Sequence, residues 1–475
     1  MRCAKLAQSL LCLLSLLFIS FSQVGAQSLA SLDNNNILRS SMVAYKIIET
    51  KSGETKYNKN EKIALAPASV CKLITSATAI ELLGEHYTFK TQFGIDGEIN
   101  NEQRVLVGNL IIKGGGDPTL GSEHFGSCSL ESLLDSIYQS LKKLDINTIA
   151  GNVLVDLSIY DKMAIPSKWT WEDIGNYYGA GSFALSVCEN TYRVCLQSPS
   201  KAGSETKILS VEPSVLDIND FENNVVASDG NSDNAYIFGS YLSSKREIFG
   251  TIPKGRNNFC IKGSIGNPPI FFAEQVKHYL QNKGIDILGK PKSADSTLII
   301  GKHIYTHVSP NLARIIKELN HTSSNLIAEH LVKQIAYEKV GLGSTNVGIE
   351  LIMKHWNDKG LDTEQLTMID GSGLSRFNAI TTDFFVALLQ YMHNNSEHSE
   401  VFKMSLPDGQ KLGFTNTPKG HITAKSGTLS GVRCYGGYYK STAGTTYTFT
   451  FLVNNFKCSP ATIRREIEKS LKTVK

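Results

Sequence analysis

The chain changes texture twice without a linker to mark either change, and this constrains its fold more than any single motif does. Near the start, Met42 to Glu49, the tight turn Lys51-Ser52-Gly53-Glu54 and Thr55 to Tyr57 read as a strand hairpin. Pro67 then opens a helix that runs to about Leu83, apolar at Leu73, Ile74, Ala77 and Ile80 and closed by Gly84. From about Tyr87 short alternating strands take over, such as Val105 to Lys113, with one clear helix, Leu130 to Lys143, among them. Residues 196 to 260 are rich in Ser, Asn, Asp and Gly and read as a small β-rich module. Helical periodicity returns at Phe271 to Lys283, Asn311 to Asn320 and Asn325 to Lys339. Two strands, Val432 to Tyr439 and Thr446 to Val453, and a helix striped by Ile463, Ile467 and Leu471 end the chain. That narrow stripe suits docking on a sheet better than contact with a membrane. A length of 475 residues calls for two or three domains. With no repeat and no low-complexity tract between them, the units are expected to be nested rather than strung in a row.

Composition narrows the class. At 41% hydrophobic and 19% charged residues the chain is that of a globular protein. Residues 1–26 read as a secretory signal peptide: Arg2 and Lys5 form a basic start, Ser9 to Phe21 an apolar core, and Val24-Gly25-Ala26 a small-residue cleavage site. The core is short for a membrane span, which disfavours an uncleaved anchor, and no later stretch approaches spanning length. The expected place is therefore periplasmic or secreted, with no integral membrane segment after cleavage. Loss of the segment takes the formal net charge from +4 to +2, which gives no reason to expect nucleic acid. Seven of the nine cysteines remain, with no CxxC pair and no zinc spacing, and the histidines show no HExxH pattern. No metal or cofactor is expected. Cys188 and Cys195 are close enough for a local disulfide, but spacing alone leaves the connectivity open. Gly114 to Gly116 lacks a following Gly-Lys-Ser/Thr and reads as a tight turn, not a phosphate loop.

Chemistry enters with Ser69-Val70-Cys71-Lys72 at the helix start, which places a hydroxyl and an amine one turn apart on one face. S-x-x-K alone is cheap: it recurs from Ser140, Ser198 and Ser204. Its partners in active-site serine enzymes that react with penicillin-like compounds are S-x-N and K-T-G. S-x-N occurs from Ser232, Ser309, Ser323 and Ser344. Only Ser323 and Asn325 fall on a short corner between two amphipathic helices, where polar side chains can face a cleft. K-[ST]-G occurs at Lys51-Ser52-Gly53, a hairpin tip, and at Lys425-Ser426-Gly427, which reads as the start of an edge strand. The order Ser69…Lys72, Ser323…Asn325, Lys425…Gly427 is far more specific than any one element. No G-x-S-x-G elbow is present to anchor a histidine-based hydrolase. Lys72 is then the available base, and it must fall from a pKa of about 10.4 toward neutrality. Burial and a second cation, Lys425, would both push it down.

On these residues the chain resembles the peptidase S13 type of D-alanyl-D-alanine carboxypeptidase/endopeptidase, the class C low-molecular-mass penicillin-binding proteins. The likeness extends to Gly116-Asp117-Pro118-Thr119-Leu120, Trp169-Thr170-Trp171-Glu172-Asp173 with Tyr177-Tyr178-Gly179-Ala180, Asn325-Leu326-Ile327-Ala328-Glu329 and Asp370-Gly371-Ser372-Gly373-Leu374-Ser375-Arg376. Ser426 departs from the usual threonine but keeps the hydroxyl, and Cys71 beside the nucleophile is unusual. The resemblance implies an α+β or α/β fold: a penicillin-binding/β-lactamase-like catalytic domain, an antiparallel sheet flanked by helices, from residues 27–92 and 300–475. It further implies an inserted domain from 93–175 and 251–299, and within it a small β-rich domain from 176–250. The activity implied is hydrolysis of D-Ala-D-Ala ends or D-Ala-diaminopimelate cross-links in peptidoglycan stem peptides through an acyl-enzyme on Ser69, with β-lactams as acylating inhibitors. In that reading Lys72 is the base, Ser323 relays a proton to the leaving amine, and Asn325 orients Lys72 and the substrate. The backbone of Ser69 and Thr428 holds the oxyanion, and Lys425, Ser426 and Thr428, with Gly427 between them, bind the terminal carboxylate. Asp173, Tyr178 and Arg376 would meet the substrate side chain, with Asp173 suited to the ammonium and Arg376 to the carboxylate of a diaminopimelate tip. The alternatives are a serine β-lactamase, which the large insert and the want of an identifiable deacylating glutamate disfavour, and a non-catalytic peptidoglycan-binding protein, which the intact serine-lysine set disfavours.

Overall fold

A computed structural model describes residues 29–474 apart from Val215. The segment 1–26 expected to direct export lies outside the described residues.

The first and last parts of the chain build one five-stranded antiparallel sheet. Its order is Thr55–Lys59, Met42–Glu49, Thr446–Asn454, Val432–Lys440, Ile422–Leu429. Alternation sends side chains to two different cores. On Thr446–Asn454, Phe449, Phe451 and Val453 join Ile463, Ile467 and Leu471 of the C-terminal helix Pro460–Thr473, while Leu452 points to the other side. There it meets Leu73, Ile74 and Ala77, packed with the helices Leu312–Thr322, Asn325–Val340, Thr345–Asp358 and Thr382–Asn394. Sheet and flanking helices form the expected penicillin-binding/β-lactamase-like arrangement.

The helix that follows Pro67 begins as a 3-10 turn, Ala68–Cys71, and becomes α-helical over Lys72–Leu83. Four apolar positions were expected on one face, but every residue from Lys72 to Ile80 is buried. The polar ones are satisfied internally. Ser76 Oγ donates to Lys72 O at 2.7 Å and Thr78 Oγ1 to Ile74 O at 2.8 Å. Trp356 Nε1 donates to Thr78 Oγ1 at 2.7 Å, and Thr75 Oγ1 to Gly371 O at 2.6 Å.

The middle of the chain builds a mixed five-stranded sheet and a four-stranded sheet, covered by the helices Leu130–Lys143 and Pro268–Asn282. Two small three-stranded sheets made from residues 191 to 264 share the same apolar core. Strand pairings run across the expected boundaries. Lys90–Ile95 pairs with Lys302–Val308 inside the middle sheet, so 92 cuts through one strand of that pair and 300 falls just before the other. The small sheets likewise run past 250, because Phe259–Ser264 pairs with Thr191–Gln197. That pairing also settles the disulfide: Cys195 sits opposite Cys260 and is bonded to it, and Cys188 keeps its thiol. No helix among the described residues is long and apolar enough to cross a membrane.

Trp356 is fully buried and packs edge-on to Tyr391 with centroids 5.5 Å apart. Its indole is the largest side chain in the core behind the serine-bearing helix. Trp356→Ala is expected to cost about 3–5 kcal/mol of unfolding free energy in urea denaturation. A loss under about 1 kcal/mol would contradict this account of the core.

Candidate active site

The serine-bearing turn, the corner at Ser323 and the edge strand Ile422–Leu429 converge. Two glycines make the approach possible. At Gly427 a Cβ would lie 2.6 Å from Pro67 O and 2.9 Å from Ser69 N, so the edge strand passes directly beside the turn. At Gly373, whose φ is +80°, a Cβ would lie 1.9 Å from Ala68 O. Both sites exclude a side chain. Lys425 is the fourth residue of its strand rather than the first, since pairing with Val432–Lys440 extends back to Ile422. Ser323 is the left-handed cap (φ 62°) of Leu312–Thr322, and Ser324 then caps Asn325–Val340 through its bond from Ile327 N. This one-residue reversal turns Ser323 and Asn325 into the same cleft.

Lys72 is wholly buried and its amine meets three oxygens: Ser69 Oγ at 2.9 Å, Asn325 Oδ1 at 2.7 Å and the carbonyl of Ser372 at 2.6 Å. A neutral amine has two N–H donors and one lone pair. Asn325 and Ser372 offer only acceptors, so the lone pair is left for the Ser69 hydroxyl. Burial lowers the Lys72 pKa from 10.5 to about 8. Asp370, Cys71 and Glu329 oppose that fall, a brake not foreseen from sequence.

Lys425 is equally buried, 2.9 Å from Ser323 Oγ and 2.8 Å from Ser426 O. Its pKa is pushed well down by burial, then by the positive charges of Lys72 and Arg433. Lys425, expected as the second cation beside Lys72, is thus itself held down in pKa. Among the described residues Lys425 has no carboxylate partner, whereas Lys72 has two carboxylates nearby, so a proton on Lys425 needs an anion to stabilise it.

The cleft above these groups has a volume of about 850 Å³. Ser69, Ser323, Asn325 and Thr428 line it, as do Asp173, Tyr178 and Arg376. Asp173 Oδ2 accepts from Thr170 Oγ1 at 2.6 Å, capping its own turn, while Oδ1 takes no bond among the described residues. Arg376 is exposed and donates from both terminal nitrogens to Ser430 O at 3.1 Å. Tyr177 is 54% exposed on the cleft and stacks edge-on to Tyr178. Asn325 Nδ2 donates to Tyr178 O at 2.8 Å, which ties the inserted segment to the Lys72 cluster.

Several participants escaped the sequence reading. Arg433 donates to Thr428 Oγ1 and lies over the Tyr435 ring at 4.7 Å. Counting back across the Ser430-Gly431 turn would have placed it opposite Thr428, its strand partner. Asp370 organises the D-G-S-G-L-S-R loop, accepting from Trp169 Nε1 at 2.8 Å and from the amides of Gly373 at 2.7 Å and Ser375 at 2.6 Å. Cys71 now has an account: it is fully buried, with Sγ 3.7 Å from Asp370 O, and burial holds its thiol well up in pKa. It fills space under the loop as a small apolar residue. His330 is buried between Gly116 O at 2.8 Å and Ser186 Oγ at 2.9 Å, and burial lowers it to about 3. Gly116 itself turns with φ +71°, as a tight turn requires.

Comparison with known proteins finds relatives over most of the chain. The chain is 26% identical over 439 residues to the D-alanyl-D-alanine carboxypeptidase of Actinomadura sp. (strain R39), covering 87% of this chain and 78% of that protein. It is 24% identical over 418 residues to the D-alanyl-D-alanine carboxypeptidase DacB of Haemophilus influenzae, covering 84% of each. The fold superposes on the crystal structure of penicillin binding protein 4 (dacB) from Haemophilus influenzae with a TM-score of 0.79 at 21% identity, over 91% of this chain and 97% of that one. The family model described as D-Ala-D-Ala carboxypeptidase 3 (S13) matches residues 26–474. With nearly its whole length matched and its serine, lysines and asparagine gathered in one cleft, the chain belongs to the D-Ala-D-Ala carboxypeptidase 3 (S13) family.

Proposed function

We propose that this protein is a serine-type DD-peptidase that hydrolyses the D-Ala-D-Ala ends, and the D-Ala-diaminopimelate cross-links, of peptidoglycan stem peptides. Penicillins would acylate the same serine. The observation that carries this reading is the Lys72 amine, 2.9 Å from Ser69 Oγ with both its other neighbours acceptors. Family membership and relatives named as D-alanyl-D-alanine carboxypeptidases support the substrate. Export through residues 1–26 would place the enzyme in the periplasm or outside the cell. In domain terms we keep the nested reading, with the crossings moved to just before Lys90 and just after Val308.

In the reaction Ser69 Oγ attacks the carbonyl between the two terminal residues as its proton passes to Lys72. The tetrahedral oxyanion is held by the backbone N–H groups of Ser69 and Thr428, each typically worth about 2.7–4 kcal/mol. The substrate carboxylate enters beside Lys425, Ser426 and Thr428, with Arg433 behind them, and stabilises a proton on Lys425 that burial alone disfavours. Ser323, bonded to Lys425, lies on the route from this proton store to the leaving amine. The new amine departs with that proton, and the proton held by Lys72 then recharges Lys425, which leaves Lys72 neutral and the acyl-enzyme on Ser69. Water attacks the acyl-enzyme as Lys72 takes its proton, and that proton returns to Ser69 Oγ as the acid product leaves.

Ser69→Ala is expected to abolish covalent labelling by a fluorescent penicillin while leaving the fold intact. Persistent labelling of a folded variant would overturn the assignment of the nucleophile. Because Lys72 must be neutral and its pKa is about 8, the rate constant for acylation is expected to rise with pH and level off above that value. One pH unit below, roughly a tenth of the enzyme is competent. A rate that stays flat from about pH 6 to about pH 9 would exclude Lys72 as base. For the side-chain subsite, Arg376→Ala is expected to reduce turnover of a diaminopimelate-containing peptide about tenfold or more relative to a lysine peptide. Equal losses on both peptides would remove Arg376 from carboxylate recognition.

A further inference from the structure

Behind the three neighbours of Lys72 lies a second polar layer that touches none of the reacting atoms. Glu329 follows Asn325 by four residues on the helix Asn325–Val340, so both side chains project from one face. Asn325 touches Lys72 directly; Glu329, fully buried, reaches the loop on which Lys72 rests. Its Oε1 accepts from Ser372 N at 2.9 Å and its Oε2 from Gly371 N at 3.2 Å. The peptide group between Gly371 and Ser372 is therefore gripped from both ends, by Glu329 on its N–H and by Thr75 Oγ1 on its carbonyl at 2.6 Å. The next peptide group gives its carbonyl to Lys72 at 2.6 Å and its N–H, from Gly373, to Asp370 Oδ1 at 2.7 Å. The loop packs too closely for other residues: a Cβ on Gly371 would lie 2.4 Å from Val332 Cγ2.

We propose that Glu329 is a positioning residue for acyl transfer, which sets the Ser372 carbonyl against the Lys72 amine. This inference rests on the reading of Ser69 and Lys72 given above. Asp370 serves the same backbone but also holds Trp169, Ser375 and Asn378, so its loss would dismantle the loop rather than report on Lys72. Glu329 has a narrower set of bonds and is the better probe.

The charges around the pair are few. Lys72 faces Glu329 and Asp370 from below and Cys71 from its own turn, and Lys425 stands across the cleft. Glu329 faces Asp370, Lys72 and Cys71, and Lys333 lies one turn further along its helix, engaged by Asp161 at 3.0 Å. Burial, then the charge of Asp370, pushes the Glu329 carboxyl up to about 8. Lys72 titrates in the same range, so the two groups compete over one span of pH. A charged Glu329 raises the pKa of Lys72; a neutral group there lets the amine lose its proton at lower pH.

The test measures the rate constant for acylation of Ser69 by a fluorescent penicillin from about pH 6 to about pH 9.5 in the wild type, Glu329→Gln and Glu329→Asp. Glutamine removes the charge and can accept from only one of the two amides. Its plateau rate is expected to fall about ten- to a hundredfold and its acid limb to move down by about one pH unit. Aspartate keeps the charge but shortens the reach, so its plateau falls while its limb stays. A folded Glu329→Gln enzyme with the wild-type plateau, or with a lowered plateau and an unmoved limb, would overturn the inference. If Glu329→Gln does not fold, Glu329→Asp decides: a lowered plateau with an unmoved limb supports it, and a wild-type plateau overturns it. A wild type that is never acylated, or a Ser69→Ala variant that still is, would instead overturn the reading of the site itself.

Discussion

The structure turns on one buried amine. Removing an ammonium group from water is costly unless it is paired or neutralised. Lys72 answers with three oxygens at 2.6 to 2.9 Å, drawn from three stretches of chain: its own turn, the helix that starts at Asn325, and the loop at Ser372. Each stretch is placed by a different device. The turn is pinned between the sheet and the helices, the helix is reversed by the left-handed Ser323, and the loop is held by Asp370 and Glu329. If any one of these failed, the amine would lose an acceptor it cannot replace from solvent.

Around that amine the electrostatics are polarised across the cleft. Lys72 lies over two buried carboxylates, Glu329 and Asp370, while Lys425 shares its side with Arg433. Burial lowers both lysines, yet the carboxylates restrain the fall of one and the guanidinium deepens that of the other. An anionic substrate end would be drawn to the Lys425 side and would change the charge there most. On the opposite side the two carboxylates restrain the fall of Lys72. This division of labour follows from which strand and which loop each lysine faces, since the two side chains are chemically identical.

Long amphipathic helices were legible because one apolar stripe repeats over several turns. Leu130–Lys143 has the bounds its periodicity implies, and Leu312–Thr322 is displaced by only a residue or two. Thr382–Asn394 was not singled out: its run Phe384-Phe385-Val386-Ala387-Leu388-Leu389 is apolar on every side and fits a strand as well as a buried helix. Val105 to Lys113 read as one strand but splits at Gly108, where a Cβ would lie 2.0 Å from Asp96 O. The serine, both lysines and the Ser323 corner were readable because each pairs a reactive residue with a local structural signal. Glu329 and Asp370 stood in plain view within the N-x-x-A-E and D-G-S-G-L-S-R runs, but the amides that Glu329 accepts from lie more than forty residues away and Asp370 reaches back to Trp169, and periodicity carries no trace of either. The same limit applied to Cys195, whose bonding to Cys260 depends on strand register rather than on spacing.

By itself the sequence determined the order of the chemical groups and the elements that carry them, because those follow from local periodicity, turn residues and spacing. Tertiary structure alone decided which groups share a proton and at what pH. A pKa depends on desolvation and on charges brought within a few ångströms by folding. Lys72 is poised near 8 because burial from all sides outweighs two carboxylates that are remote in sequence from the residue they restrain.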